Sequence, residues 1–301
     1  MTASTPDSAV TVARVRGRGL RRFARRFLRQ RTALVAAGFL LLMVLVALFA
    51  DVLAPHDPDA QTLRDTLLSP LTDGHVLGTD ELGRDVLSRL IHAARVSLLA
   101  AVIAVSVGFV LGVPLGLISG YVGGWVDTVL QRITDAVMSF PPLILAIAVI
   151  AVLGPSLTNA MLAVGLVFAP RFLRLVRASV LSVREQTYIE AAKTIGTPMP
   201  VIVLRHVLPN VLSPMIVQMS LAAGFSLLAE AGLSFLGLGV QPPDSSWGSM
   251  MGRAFRELNQ QTWLIVWPGL MIVFTVLAFN VLGDALSDAL GREIREGNDD
   301  E

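Results

Sequence analysis

Cysteine is absent from this chain, which excludes disulfides and thiolate metal sites. Lysine is almost absent: Lys193 is the only one, and every other strongly basic residue is Arg. A Walker A loop needs G-x4-G-K-[ST], and Lys193 sits in Glu190-Ala191-Ala192-Lys193-Thr194 with no glycine before it. The chain therefore has no P-loop, and any ATP-driven work requires a partner chain. Histidine is sparse and scattered. His56, His75, His92 and His206 show no H-x3-H spacing, so no metal site is expected. Catalytic signatures are missing too: no G-x-S-x-G, H-E-x-x-H or GxGxxG loop stands in a strand–helix setting, and an enzyme is not expected.

Charge is the largest deficit. Only 16% of the 301 residues are charged, whereas a soluble domain carries about 25%. What is present instead is apolar sequence: 53% hydrophobic residues and a mean hydropathy of +0.66. An uncharged apolar run of about 20 residues crosses a bilayer as a helix. Six such runs are expected: Thr32–Ala50, Val96–Ile118, Val129–Leu153, Leu157–Val176, Val211–Ala229 and Trp263–Leu282. The fourth is interrupted late by Pro170 and Arg171. The fold class is all-α, a polytopic membrane protein.

Orientation follows from the arginines. Nine lie between Arg14 and Arg31, directly before the first run, with Asp7 the only acid in that tail. The positive-inside rule places the tail in the cytoplasm. A cleavable signal peptide is the rival reading, but the apolar run is too long and no A-x-A site follows it. Juxtamembrane Arg is explained by topology and anionic lipid, so nucleic acid is not an expected partner. Six spans then put both termini inside. Residues 54–95, with seven acids and four Arg, fall outside. The loop carrying Arg177, Arg184, Lys193 and Arg205 falls inside. Within the outer loop, Leu82, Val86, Leu87, Leu90, Ile91 and Ala94 recur at helical spacing. They predict a helix over Asp80–Ala94 lying in the outer interface.

The inner loop holds the most informative segment, Glu190 to Asn210, EAAKTIGTPMPVIVLRHVLPN. A helix over Arg184–Ile195 would put Tyr188, Ala192 and Ile195 on one stripe, with Ile189 beside them. Glu190 and Lys193 are spaced to pair. Gly196 suits the left-handed position that ends a helix, and Pro198 and Pro200 forbid its continuation. A second turn at Leu208-Pro209-Asn210 is expected to redirect the chain into the fifth span. The spacing of Glu190, Ala191, Ala192, Gly196, Leu208 and Pro209 resembles the EAA loop of bacterial ABC importer permeases. His206, in His206-x-Leu208-Pro209-Asn210, resembles the peptide- and nickel-type branch.

Two further segments resemble the same branch. One is Gly78–Leu90, GTDELGRDVLSRL. The other runs from Glu230 through Leu233-Ser234-Phe235-Leu236-Gly237-Leu238-Gly239 to Pro242, Pro243, Trp247 and Gly248, and is similar to the C-type subunit of dipeptide and oligopeptide permeases. Phe279-Asn280-Val281-Leu282-Gly283-Asp284 matches the family's closing pattern. Ser287, Gly291 and Arg292 then depart from it, and the acidic end Asp299–Glu301 is expected to be disordered.

The resemblance implies a division into a basic tail (1–31), a first span with external loop (32–95), a permease core (96–288) and an acidic tail (289–301). It implies a heterodimer with a second permease, two ATP-binding subunits that hold ATP and Mg, and an extracytoplasmic substrate-binding protein. No cofactor is expected in this chain. The site is bacterial inner or plasma membrane, and the cargo class is di- or oligopeptide. The same architecture importing nickel, haem or another small solute is the alternative, and a self-sufficient secondary transporter the more distant one. Glu190, Ala191, Ala192, Gly196, His206, Leu208 and Pro209 are the coupling candidates. Glu230, Ser234 and Asn280 are the pathway candidates. Arg132 and Asp135, one turn apart, are expected to neutralise each other. Trp247, Trp263 and Trp267 suit an interfacial belt.

Overall fold

A computed structural model describes residues 27–298, with side chains through residue 289. The expectations for residues 1–26 and for Asp299–Glu301 lie outside the described residues. Those described form helices and no strands, only isolated bridges at Thr72–His75 and Thr79–Asp85. The helices are α1 (Arg31–Leu48), α2 (Ala50–Leu53), α3 (Val86–Val122), α4 (Gly124–Met138), α5 (Pro142–Leu153) and α6 (Leu157–Arg184). They continue with α7 (Thr187–Thr194), α8 (Met199–Ile202), α9 (Leu208–Phe235), α10 (Trp247–Arg256) and α11 (Trp263–Asn298). Five stretches are long and apolar enough to cross a membrane, or six if α4 and α5 form one bent span.

The third expected span is not one straight helix. It breaks between Met138 and Pro142 with a 91° bend. Pro141 and Pro142 each lack an N–H, and Pro141 pushes Phe140 out of helical geometry, so the ladder cannot pass them. The fourth span behaves in the opposite way. α6 runs unbroken through Pro170, and the Arg171 guanidinium rests 5.7 Å from the ring centroids of both Phe168 and Phe225. Asp135 does not pair with Arg132. It accepts from Arg174 on α6, which ties α4 to the bundle.

α3 and α6 form the spine. Glycines at 108, 112, 116 and 120 fall every fourth residue on α3, along one face. A Cβ on Gly112 would stand 2.4 Å from the Ala169 carbonyl oxygen and 2.6 Å from the Phe172 Cβ. On Gly116 it would stand 2.7 Å from the Leu173 oxygen, and on Gly120 2.7 Å from the Val180 Cβ. α6 answers with Gly165, whose added Cβ would lie 2.5 Å from the Val107 Cβ. Lipid offers little hydrophobic drive between helices, so close backbone approach supplies the dispersion that holds the pair.

One end of the bundle carries a collar made of residues 54–85 and 236–262. The helix expected over Asp80–Ala94 begins only at Val86, where it is the start of the long α3 and not a separate interfacial helix. Residues 80–84 form a turn in which Asp80 Oδ1 accepts from the Leu82 and Arg84 N–H groups at 2.9 and 3.0 Å. Gly83 sits at φ +72°, which ends any helix there. The helix starts at Val86 because the Asp85 side chain caps it from Ser88 N–H. Its 37 residues span about 55 Å, more than the ~30 Å hydrocarbon core, so its first turns belong to the collar. Arg89, 1% exposed, crosses the collar's inner face and donates to Pro58 O at 2.8 Å, Asp59 at 2.9 Å and Pro243 O at 3.4 Å. Burial, then the positive Arg89 nearby, pull the Arg253 guanidinium down to about 10.

Trp247 corrects its expected place in a surface belt, for it is fully buried. Its indole N–H donates to Leu90 O at 3.2 Å, and its backbone N–H to Ser97 Oγ at 3.1 Å, both on α3. An indole with a buried acceptor has no need of the interface. Trp247→Ala removes both the ring and this anchor. It is expected to cost about 3–5 kcal/mol, read as a lower melting temperature of the purified chain in detergent.

Candidate functional site

The opposite end of the bundle carries residues 187–210. α6 ends at Arg184, whose Nη1 donates to Gly120 O at 3.1 Å and locks it to the end of α3. Just inside that end, Arg177 grips Asp127 of α4 bidentately, at 2.6 and 2.7 Å. Gln186 is extended, and the chain re-enters a helix at Thr187, so α7 is shorter than the expected Arg184–Ile195.

The predicted apolar stripe is divided. Ile189 and Ala192 are buried against the chain's own bundle. Tyr188 is 44% and Ile195 82% exposed. Glu190 and Ala191 are exposed as well. The expected Glu190–Lys193 pair does not form. Lys193 Nζ lies 5.8 Å from the Tyr121 ring centroid, a cation–π distance. Among the described residues Glu190 has no ion-pair partner.

Gly196 takes φ +78°. Its N–H donates to Lys193 O at 3.0 Å, and the Thr197 N–H reaches Ala192 O at 3.0 Å. These two bonds make a Schellman motif, which satisfies carbonyls the helix end would otherwise leave open. Pro198 then caps α8 rather than merely stopping α7, with Pro200 in its first turn, where a missing N–H does no harm.

The turn expected at Leu208-Pro209-Asn210 does not exist. A π-helical turn over Val203–Val207 joins α8 to α9. Pro209 cannot donate to the residue four before it, and the widened turn absorbs that gap without breaking the axis. Helical structure therefore runs from Met199 to Phe235. His206 and Asn210 bind this segment to α7. The Asn210 amide donates to Tyr188 Oη at 3.2 Å and to His206 O at 2.7 Å, and the His206 ring stands 6.3 Å from that of Tyr188. Partial burial raises the Tyr188 hydroxyl above the usual tyrosine range, so it stays protonated at neutral pH. The coupling candidates are thus one unit: a short helix, a left-handed turn and a long helix leading out of it. Tyr188, Ile195, Met199, Val201 and Leu204 add exposed apolar surface to it.

The pathway candidates separate into two places. Glu230 and Ser234, 1% and 5% exposed, share a hydrogen bond of 2.6 Å at the collar end of α9. Ser234 Oγ also accepts the Val240 N–H at 3.2 Å and so pins the loop leaving α9. That loop begins with a second Schellman turn, at Gly237, φ +78°. Asn280 lies apart, half-buried on α11 opposite Gly224 of α9. Sequence spacing set no metal ligands, yet folding brings His56, His75 and Asp85 together in the collar. It also missed Asp127 and the glycine ladder. Four glycines at a period of four were the available signal for the ladder.

Known proteins resemble this chain in sequence and in fold. Residues 112–296 match the family described as "Binding-protein-dependent transport system inner membrane component". Residues 20–70 match "N-terminal TM domain of oligopeptide transport permease C". The glutathione transport system permease protein GsiD of Escherichia coli O6:K15:H31 is 44% identical over 273 residues, covering 91% of this chain and 90% of that one. GsiD of Salmonella typhimurium LT2 is 46% identical over 275 residues, 91% of each chain. In structure, a chain of the MetNI methionine ABC transporter in an inward-facing form aligns with a TM-score of 0.54 at 20% identity. The alignment covers 66% of this chain and 95% of that one, and it bears on the fold alone. Helical architecture and these matches converge: the chain belongs to the binding-protein-dependent transport inner membrane components, as an ABC importer permease of the oligopeptide permease C type.

Proposed function

We propose that this chain forms one half of the membrane pathway of an ATP-driven importer for short peptides, paired with a second permease. Two ATP-binding subunits supply ATP and Mg, and an extracytoplasmic binding protein delivers the cargo. The 187–210 end faces the cytoplasm together with both termini, and the collar faces outward. The observation that carries the coupling role is the exposed face of α7 and its turn. Glu190, Ala191 and Ile195 point away from the bundle, while Ile189 and Ala192 anchor the same helix to it. A partner can therefore push on one face while the other transmits the motion. Gly196, Leu208 and Pro209 lie on the line from α7 into α9, and His206 braces it through Tyr188. Glu230 and Ser234 hold the outer loop in place, and Asn280, half-exposed, is the residue of the three that can meet cargo.

The identity to glutathione permeases makes glutathione, a tripeptide, the first cargo to test. Cells lacking this chain should lose uptake of labelled glutathione or short peptides, with uptake restored by the intact gene. Unlabelled peptide should compete and nickel or haem should not. Peptide uptake that is unchanged by the deletion, or competition by nickel or haem alone, would overturn the peptide reading.

A further inference from the structure

We propose that His56, His75 and Asp85 form a binding site for a divalent transition cation of the zinc type, on the collar. The inference is independent of which solute is carried. His75 Nδ1 lies 2.9 Å from Asp85 Oδ1, and His56 Nδ1 lies 3.7 Å from the same oxygen. The ligand atoms of all three fall within 4.8 Å of one another. A tetrahedral zinc ion with bonds of about 2.0–2.1 Å places its ligands roughly 3.3 Å apart, so small side-chain shifts seat the ion. Two imidazoles and one carboxylate with water in the fourth position are a ligand set that suits zinc.

The three donors are held before any ion arrives. Asp85 Oδ2 accepts the Ser88 N–H and hydroxyl, both at 2.7 Å, which leaves Oδ1 aimed at the imidazoles. Such outer hydrogen bonds orient metal ligands in known sites. The His56 backbone N–H donates to Ser88 Oγ at 3.0 Å, fixing that residue over the same helix start. His75 is held through its backbone by Thr72 O and by the Leu71 and Gly78 N–H groups. The two rings lie 4.8 Å apart, tilted by 35°. The Asp85 side chain is buried and the His56 side chain 42% exposed, so an ion has an approach from one side only. A bound ion would clip together three separate stretches: the chain after α2, the 72–78 turn and the start of α3. In its absence the stretches are joined by hydrogen bonds alone, His75 to Asp85 and the His56 N–H to Ser88 Oγ among them.

The test uses the purified full chain in detergent, stripped with chelator and titrated with Zn2+ alone, followed calorimetrically and by metal analysis after dialysis. His56→Gln is the informative variant, because among the described residues the His56 ring has no hydrogen-bond partner and its loss leaves the Asp85 cap intact. The wild type should bind about one Zn2+ per chain with a dissociation constant on the order of micromolar or below. His56→Gln and His75→Asn should each weaken this by at least about tenfold. Zn2+ should also raise the melting temperature of the wild type and not of His56→Gln, since a ligand stabilises only the state that binds it. Equal Zn2+ binding by wild type and His56→Gln, or none by either, would overturn the site. Binding of Mg2+ as tight as Zn2+ would do the same, since this donor set does not suit Mg2+.

Discussion

Gly112→Leu should leave little folded protein in the membrane. A Cβ alone at that position would meet a backbone oxygen at 2.4 Å and a Cβ at 2.6 Å. Neither belongs to the flexible end of a side chain, so the strain cannot be relieved by a rotamer change. α3 and α6 would have to separate, and their dispersion contact would weaken along the whole glycine face. Overpacking a core costs about 1–3 kcal/mol where the surroundings can yield. Here two helix backbones are in the way, so the upper end or more is expected. A graded series separates this from a general intolerance to change. Gly108→Ala, where the nearest atom would be 3.2 Å away, should be mild. Gly116→Ala and Gly120→Ala, at 2.7 Å, should be intermediate, and Gly112→Ala the worst of the alanines. At Gly38 an added Cβ meets nothing within 4 Å, and Gly38→Leu should behave as wild type. Size-exclusion profiles of fluorescently tagged protein give the readout. A Gly112→Leu profile as sharp and as abundant as that of Gly38→Leu would refute the close-packed spine.

Local features of the sequence account for much of this fold, and long-range ones for what was not legible. Apolar runs located five of the spans, because hydropathy is a property of contiguous sequence, but not their ends: helical structure begins at Val86 and not Val96, at Met199 and not Val211, and α6 runs on to Arg184 past Val176. The bend in the third run was not legible, since hydropathy counts side chains and not the two donors lost at Pro141 and Pro142. Proline misled in the other direction at Leu208-Pro209-Asn210, where its place in a first turn made it compatible with a continuous helix. Asp135 found Arg174 rather than Arg132, a partner 39 residues away that spacing cannot reveal. Trp247 is polar at one atom only, and its acceptor, Leu90 O, comes from another helix. The same holds for His56, His75 and Asp85, which only the collar brings together. Within the candidate site, Gly196 was legible because a left-handed glycine after a short helix is a local signal. That α7 turns half of its stripe inward was not, since it depends on where α6 and α9 stand.

Replacing Gly196 by valine is expected to uncouple transport while leaving the chain folded. No atom lies within 4 Å of an added Cβ there, so the substitution creates no clash. Its effect comes entirely from φ +78°, a conformation that costs an L residue roughly 1–2 kcal/mol and a β-branched one more. That strain shifts the turn away from the Schellman geometry about tenfold. The 6→1 and 5→2 bonds at Thr197 and Gly196 fix the short connection between α7 and the helical stretch that starts at Met199, beside the brace from Asn210 and His206 to Tyr188. Loosening them lets α7 move under a push without moving α9. Gly196→Asn provides the control, because asparagine tolerates the left-handed region and should keep most transport. Glu190→Lys probes the same unit from the partner's side. Its carboxylate is exposed and unpaired within the described residues, so reversal changes the charge offered to a docked subunit and not the fold. Reconstituted complexes carrying Gly196→Val or Glu190→Lys should assemble, hydrolyse ATP, and import cargo at a tenth of the normal rate or less. Equal uptake by wild type and both variants would remove α7 and its turn from the coupling path. Loss of uptake in Gly196→Asn as deep as in Gly196→Val would show that the glycine acts through something other than its backbone.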